Sequence, residues 1–252
     1  MSTIIDNAIC IRRWDFSETS QTVSLLTREH GVLRGLAKGA KRERGAFSGG
    51  IDLLTRGQIV AITKPEKELA TLTQWTLEEV FRAVHTCLPA NRMALYGADL
   101  IHHFFHASDP HPALFDAFVH TLREMDRGAA ADCEMARFQW LFLREAGYRP
   151  ELTRDAETGR PLSVDSATLA FSAEAGGVVE DTGRAGRWRV RRETIDLLRT
   201  LDTGGGLDFA DHDVIGRVNR LLASYIREIL GHEPATLRWA FGNQLARPDR
   251  AE

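Results

Sequence analysis

Residues 22–37 of the chain read TVSLLTREHGVLRGLA. Its two apolar runs, Thr22–Thr27 and Val32–Ala37, have the β-branched or alternating side chains of strands, and the polar piece between them ends in the turn-like pair His30-Gly31. The stretch therefore predicts two neighbouring strands. Comparable runs, separated by turn-like or polar pieces, lie on both sides of it at Ala8–Arg12, Gln58–Thr63 and Leu69–Trp75.

Five short strands within one segment predict a small closed or nearly closed barrel. The OB-fold is the commonest barrel of this size that handles oligonucleotides, so we expect an OB-fold over residues 1–80. Beyond Thr76 the apolar residues recur with the period of helices. Three helices are predicted directly after the barrel and two near the end of the chain, at Asn91–Ala107, His111–Arg127, Asp132–Ala146, Glu193–Leu201 and Asp211–Leu230.

Residues 149–188 interrupt the helical pattern with prolines and glycines around one possible strand, Thr168–Ser172. The sequence thus predicts an α+β chain: an N-terminal OB-fold barrel, then an all-α helical domain over residues 81–252 that is interrupted by a small irregular insertion. The polar tail from Leu245 is expected to be frayed.

The net charge of −3 conceals an asymmetry along the chain. Residues 1–64 contain ten Lys or Arg against six Asp or Glu, a balance of +4, which leaves −7 for the remainder. A basic module on an acidic body suggests that one face meets a polyanion. The three cysteines are far apart and form no metal-binding or disulfide pattern, and no apolar stretch is long enough to span a membrane, so we expect a cytoplasmic protein.

A basic segment, residues 28–44, is the strongest candidate site. Its cations alternate with Gly35, Gly39 and Gly45, which permit bends that bring several charges toward one phosphate chain. Trp14, Phe16 and Phe47 flank it and could stack on bases, although burial in the core is the better prediction for each. A solvated loop without a ligand is the alternative. The predicted DNA-binding residues are Arg28, Arg34, Lys38, Lys41, Arg42 and Arg44.

Several phrases of the sequence resemble the bacterial RecO family. They are Ala8–Arg13, Glu18-Thr19, Leu25–Gly31, Ala37–Arg42, Glu145–Leu152, and Leu169–Ser172 followed by Gly176-Gly177, and they occur in the family's order. The resemblance implies an OB-fold, a helical domain and a zinc-binding insertion. It further implies a DNA repair and recombination mediator that binds single- and double-stranded DNA, anneals strands, and with RecR and the tail of the single-strand-binding protein helps to load RecA.

The chain departs from the family where zinc would bind. Family members with zinc have two CxxC pairs, but the corresponding places here read Asp155–Thr158 and Glu180–Gly183, and no cysteine follows Cys133. Four thiolates form the closed tetrahedral site that a structural zinc requires, and a few carboxylates do not replace them. We therefore expect no zinc and no other cofactor.

Other arrangements support catalysis poorly. His102 and His106 have the spacing of helical metal ligands, but no third ligand is evident beside them, and a partly exposed helix face is the simpler interpretation. No nucleophile elbow, phosphate-binding loop or dinucleotide fingerprint is present. We expect a non-enzymatic protein located in the cytoplasm at the nucleoid. The alternative is an adaptor between proteins with weak or no DNA binding.

Overall fold

The computed structural model describes residues 1–42, 45–47, 50–64, 66–163, 166–207 and 209–242. The chain divides into two compact units, residues 1–129 and 130–252. The first contains a five-stranded barrel and helices, and the second contains helices with a small sheet. The predicted α+β class is confirmed. Within the described ranges, no helix combines the length and apolarity that crossing a lipid bilayer requires.

The barrel closes in the strand order β1-β2-β3-β5-β4, with β1 also paired to β4. The pairing of β3 with β5 is parallel and the other pairings are antiparallel. This is the topology of an OB-fold. The strands are β1 (Ser2–Asp15), β2 (Gln21–Thr27), β3 (Gly31–Ala37), β4 (Thr55–Thr63) and β5 (Ala70–Val80).

The barrel interior follows from alternation along the strands. Most inward positions are small or aliphatic, such as Ala8 and Cys10 on β1 and Val23 and Leu25 on β2, and Trp75 on β5 also lies in this core. A register shift between Cys10 and Arg12 lets the first part of β1 pair with β4 and the second part with β2. Strands β1 and β5 are longer than predicted, because their polar ends are held by cross-strand pairing and not by burial.

Three helices complete the first unit: α1 (Arg82–Thr86), α2 (Leu88–Phe104) and α3 (Pro112–Asp126). Helix α1 was not predicted, and α2 ends three residues before the predicted Ala107. The early end has a tertiary cause. The amide of Val32 donates to the carbonyl of His106 (3.1 Å), and the amide of Ser108 donates to the carbonyl of His30 (3.2 Å), so the turn between β2 and β3 draws this backbone out of the helix.

That turn is fixed from within by a buried carboxylate. Asp6, 7% exposed, accepts from the amide of Glu29 (2.9 Å) and from Nδ1 of His30 (2.8 Å). Gly31 follows with φ +72°, and a Cβ added to it would lie 2.5 Å from the carbonyl oxygen of His106. Only glycine fits this position without strain.

The second unit contains α4 (Ala131–Glu145), α5 (Arg192–Asp202), α6 (His212–Leu230) and α7 (Leu237–Phe241). Between α4 and α5 lies an antiparallel sheet in the order β7-β6-β8, formed by β6 (Thr168–Ser172), β7 (Gly177–Val179) and β8 (Trp188–Arg191). The insertion is therefore more regular than predicted. Phe171 stacks on Trp188 and meets Tyr225 edge-on within its core. The predicted frayed tail from Leu245 lies outside the described residues.

Candidate nucleic-acid interface

The outer face of strands β1, β2 and β3 carries the candidate interface. On these strands the residues next to the inward-facing ones point outward, and they pair across the strands in two rows. One row is Arg12, Ser24 and Arg34, and the next is Trp14, Thr22 and Leu36. Arg34 is exposed, and so is Lys38, just beyond the end of β3. One face of the barrel therefore carries cations and an aromatic side chain in adjacent rows.

Two loops at the end of these strands are tied together by hydrogen bonds. The amide of Lys41 donates to the carbonyl of Thr19 (3.0 Å), and the amide of Gly39 donates to the hydroxyl of Ser20 (3.2 Å). Gly39 has φ +68°, which allows the tight turn in which the amide of Arg42 donates to its carbonyl (3.1 Å). The loop after β3 is thus fastened beside the loop between β1 and β2. We call the resulting group the aromatic-basic strip: Trp14, Phe16, Lys38, Lys41 and Arg42.

The cations of the strip differ in their partners. Lys41 Nζ lies 2.7 Å from the carboxylate of Asp15, and this hydrogen bond lowers the pKa of Asp15. No carboxylate of a described residue forms an ion pair with Lys38 or Arg42, and both side chains are exposed. These two cations are available to a polyanion without first breaking a protein contact of that kind.

The aromatic side chains also separate into two groups. Phe16 is 63% exposed and Trp14 is 41% exposed, whereas Phe47 is 6% exposed and lies in the barrel core. The prediction that burial is the better interpretation therefore agrees with Phe47 alone. Trp14 and Phe16 lie on β1 and directly after it, beside the cations of the strip, where bases could stack on them.

One of the predicted cations, Arg28, lies elsewhere. Arg28 belongs to the turn between β2 and β3, at the opposite end of this hairpin from Lys38. Its guanidinium donates to both carboxylate oxygens of Asp116 on α3 (3.0 and 2.9 Å) and to Glu29. The hydrogen bonds that Arg28 donates to Asp116 raise the pKa of Arg28. Arg44 lies outside the described residues.

Helix α2 covers one side of the outer face. Arg12 donates to the buried carboxylate of Asp99, and Nδ1 of His102 lies 3.3 Å from the hydroxyl of Ser24. The ring of His102 also lies 6.1 Å from that of Trp14. Partial burial, followed by the nearby charge of Arg12, lowers the pKa of His102 to about 4. His102 is therefore neutral at neutral pH, and the open part of the face lies toward the strip.

Three of the histidines around the end of α2 have separate partners. His103 pairs with Asp99 (3.4 Å) and His111 with Asp109 (3.2 Å), while His102 lies against Ser24. In the part of the chain that the structure describes, no three His, Cys, Asp or Glu side chains are grouped to hold a metal ion.

The insertion lobe, residues 149–191, contains the two segments at which the resemblance predicts zinc-binding cysteines, Asp155–Thr158 and Glu180–Gly183. Oδ1 of Asp155 accepts from the amides of Glu157 (3.1 Å) and Thr158 (2.8 Å) and from the Thr158 hydroxyl (2.8 Å). Its Oδ2 accepts from the amide of Glu180 (2.8 Å), and this hydrogen bond joins the two segments. Burial raises the pKa of Asp155, but these hydrogen bonds outweigh it and lower the pKa below its ordinary value.

This donor set does not fit a zinc ion. Both oxygens of Asp155 already accept N–H or O–H groups, and Glu157 and Asp181 pair with Arg187 (2.6 Å) and Arg189 (2.9 Å). A closed zinc site needs four ligands with lone pairs directed at the metal, usually thiolates or imidazoles. Binding a metal at Asp155 would break the hydrogen bond that joins the two segments.

A five-stranded barrel of this strand order, with a basic and aromatic outer face, belongs to the OB-fold class of oligonucleotide-binding modules. Comparison with known proteins specifies the class further. Residues 1–81 match the family described as "Recombination protein O N terminal", and residues 70–238 match "Recombination protein O C terminal". The chain belongs to the RecO family of DNA repair proteins.

Curated relatives agree over most of the chain. The DNA repair protein RecO of Rhodopirellula baltica is 33% identical over 194 residues, which cover 77% of this chain and 72% of the relative. RecO of Dehalococcoides mccartyi is 27% identical over 246 residues, 95% of each chain. RecO of Geobacter sulfurreducens is 28% identical over 253 residues, covering 98% of this chain and 95% of the relative. The resemblance predicted from short phrases is confirmed.

Proposed function

We propose that the chain binds single-stranded DNA through the aromatic-basic strip and acts without bond chemistry as a mediator of recombinational repair. The observation that carries the proposal is the joining of Lys38, Lys41 and Arg42 to the exposed rings of Trp14 and Phe16 by the hydrogen bonds between two loops. Cations that follow a phosphate chain, with rings on which bases stack, are the usual means of binding single strands without sequence preference.

The physical basis is electrostatic. Each phosphate neutralised by a cation releases condensed counterions, so affinity falls with salt, with a slope of roughly 0.7 per phosphate contact on single strands. Arg34, exposed on the row beside Trp14, extends the same surface along β3. We leave Arg28 out of the proposed surface because Asp116 and Glu29 engage its guanidinium.

The same proposal includes three more specific activities. They are binding of double-stranded DNA, annealing of complementary strands, and loading of RecA with RecR and the tail of the single-strand-binding protein, in the cytoplasm at the nucleoid. Their support is membership of the RecO family, together with the relatives named DNA repair proteins.

The test is fluorescence anisotropy of the full chain with a labelled oligothymidine over a salt series. The strip variant K38A/K41A/R42A should bind at least tenfold more weakly at low salt, and its salt slope should be smaller by about two. The control variant R28A/K64A/K67A removes the same charge. Lys64 and Lys67 follow β4 where it pairs with the start of β1, and Arg28 lies in the turn between β2 and β3, at the far end of that hairpin from Lys38. We therefore expect wild-type affinity and slope.

If the chain does not bind oligonucleotides in dilute buffer, the proposal is contradicted. The alternative hypothesis, an adaptor between proteins, is then favoured. Equal losses in the strip and control variants would also contradict it, because binding would then follow net charge and not the strip. Measuring the rate of strand annealing with the same two variants tests the proposed annealing activity. We expect slower annealing with the strip variant and wild-type annealing with the control variant.

A further inference from the structure

The second unit contains a cavity of about 220 Å³ walled by arginines. Strand β8 contributes Arg189 and Arg191, alternate residues on one side of the strand, and α6 contributes Arg217 and Arg220, which are one turn apart. Arg189 and Arg191 are 68% and 66% exposed, so the cavity opens to solvent on their side. We call this group, with Thr194 of α5, the arginine cavity.

Two donors in this cavity are buried without an acceptor among the described residues. Thr194 is 1% exposed and its hydroxyl has no hydrogen-bond partner, and the same holds for the buried Nε of Arg217. Buried polar groups in folded proteins almost always have partners, and leaving one unpaired costs free energy. Because both donors line one cavity, a single bound acceptor with several oxygens could satisfy both.

The charges around the cavity favour an anion. Glu193 accepts from Arg217 (2.5 Å) and lies 3.6 Å from Arg191, and Asp181 pairs with Arg189 (2.9 Å). No carboxylate in the described ranges forms an ion pair with Arg220. Four guanidiniums thus face two carboxylates. The 11-residue helix α5 also begins at this wall, without a side-chain cap, and its first turn adds positive potential.

We propose that the arginine cavity binds a phosphate group, supplied either by a nucleic-acid backbone or by a free nucleotide. Guanidinium groups and a hydroxyl donor match the oxygens of phosphate. The cavity is smaller than the roughly 300–1,000 Å³ of pockets that enclose drug-sized ligands, so it accepts the phosphate and leaves any attached sugar and base outside. The site goes beyond the proposed function, since it uses another unit and none of the strip residues.

Thermal unfolding and calorimetry of the full chain test the site, with inorganic phosphate replacing chloride at constant ionic strength. We expect a saturable rise in unfolding temperature with phosphate. Thr194→Val and Arg220→Gln should each weaken phosphate binding about tenfold, the effect of losing one charge-assisted hydrogen bond. Arg144→Gln, an exposed arginine on α4, is the matched control and should bind phosphate as the wild type does.

Thr194→Val is also expected to fold as the wild type does, so that a loss of phosphate binding in this variant does not reflect misfolding. Valine keeps the shape of threonine and removes a hydroxyl that has no partner, so this variant should unfold at the wild-type temperature or above it in chloride. An unsaturable response to phosphate, or cavity variants that respond as the wild type does, would overturn the proposal.

Competition identifies the source of the phosphate. In the strip variant K38A/K41A/R42A, a 5′-mononucleotide and an oligonucleotide without terminal phosphates are each added to the phosphate-bound chain. Displacement by both supports a backbone phosphate, and displacement by the mononucleotide alone supports a free nucleotide. Displacement by neither would overturn the assignment to a phosphorylated ligand. Because this variant lacks the cations of the strip, displacement of phosphate in it reports binding at the arginine cavity and not at the strip. A failure of the cavity proposal is therefore distinguished from a failure of the strip proposal.

Discussion

Phe16 and Phe47 flank the same basic segment, but their surroundings differ. Phe16 is 63% exposed beyond the end of β1, whereas Phe47 is 6% exposed and packs with the side chains that fill the barrel. The two positions could not be distinguished from the sequence, because each aromatic residue stands among polar or small residues with no periodicity around it. Barrel closure decides their roles.

Phe16→Ala is expected to weaken binding of single-stranded DNA by about 1–3 kcal/mol, the usual contribution of one base stacked on a ring. The free energy of unfolding should stay near the wild-type value, since the ring is largely exposed. Anisotropy titration and urea unfolding measure the two quantities. Phe209→Ala removes a 99% exposed ring from the second unit and is the control. Equal losses of affinity in both variants would contradict a role for stacking at residue 16.

His102 makes the stability of the first unit depend on pH. Because its pKa in the folded chain is about 4, against an ordinary value of 6.5, the unfolded chain takes up this proton first as the pH falls. Stability should therefore decline between about pH 6.5 and pH 4. The groups that face the ring are Ser24, Trp14, Arg12, Arg34, Asp99 and His103.

His102→Asn should flatten this part of the pH profile, because the asparagine does not titrate. Urea unfolding at a series of pH values gives the slope of the unfolding free energy against pH. The slope is the quantity to compare, since the variant also changes the contact with Ser24 and so the absolute free energy. An unchanged slope between pH 6.5 and pH 4 would show that His102 does not have the lowered pKa.

At the scale of elements, the turn between β2 and β3 depends on one glycine. Gly31→Ala places a Cβ at φ +72° and 2.5 Å from the carbonyl oxygen of His106. Gly128→Ala has a similar φ of +93° but nothing within 4 Å of the added Cβ. The control should lose about 1–2 kcal/mol from the left-handed conformation alone, and Gly31→Ala should lose clearly more. Thermal unfolding compares them, and equal losses would contradict the close approach.

The insertion lobe depends on Asp155. Asp155→Asn replaces an acceptor with a donor that faces backbone amides, so the second unit should lose about 1–3 kcal/mol of unfolding free energy. Asp181→Asn, which removes a pair with the 68% exposed Arg189, should lose about 0–1 kcal/mol. Since the pKa of Asp155 is lowered, its contribution is present at neutral pH and is lost as the pH falls below its ordinary range near 4. An Asp155→Asn variant with the wild-type free energy of unfolding would contradict the account.

Elemental analysis of the purified chain tests the prediction that the lobe holds no zinc. Asp155 and Glu157 already accept amide and arginine N–H groups, so binding a metal there would require breaking these hydrogen bonds. We expect less than stoichiometric zinc after purification without chelator, and no change in unfolding temperature when a chelator is added. One zinc per chain would contradict the prediction.

The elements themselves were largely predictable because hydrophobic periodicity is local. The strand at Thr168–Ser172 and the helices near residues 112–126 and 212–230 follow their patterns closely. The failures have tertiary causes. Helix α2 ends early because the turn at Gly31 pairs with the residues that follow it, His106–Ser108. Strands β7 and β8 are too short to have a pattern of their own and exist through pairing with β6.

For the whole molecule, the charge asymmetry predicted a basic face in the first quarter of the chain. Spacing did not reveal which cations share that face. Arg28 and Lys38 are ten positions apart in the sequence, but the hairpin places them at opposite ends. Asp15 at the end of β1 and Lys41 in the loop after β3, by contrast, form an ion pair. The arginine cavity was missed, because α6 was interpreted only by its apolar stripe and Arg217 and Arg220 lie beside it.

Crosslinking of an oligonucleotide containing 5-iodouracil tests the central claim most directly. This base reacts with an aromatic side chain against which it stacks, and tryptic digestion releases Trp14–Arg28 as one peptide that contains both rings of the strip. We expect mass spectrometry to find the crosslink at Trp14 or Phe16, and to find it lost in high salt and in the strip variant. A chain that binds the oligonucleotide but shows no crosslink within residues 14–28 would contradict the account.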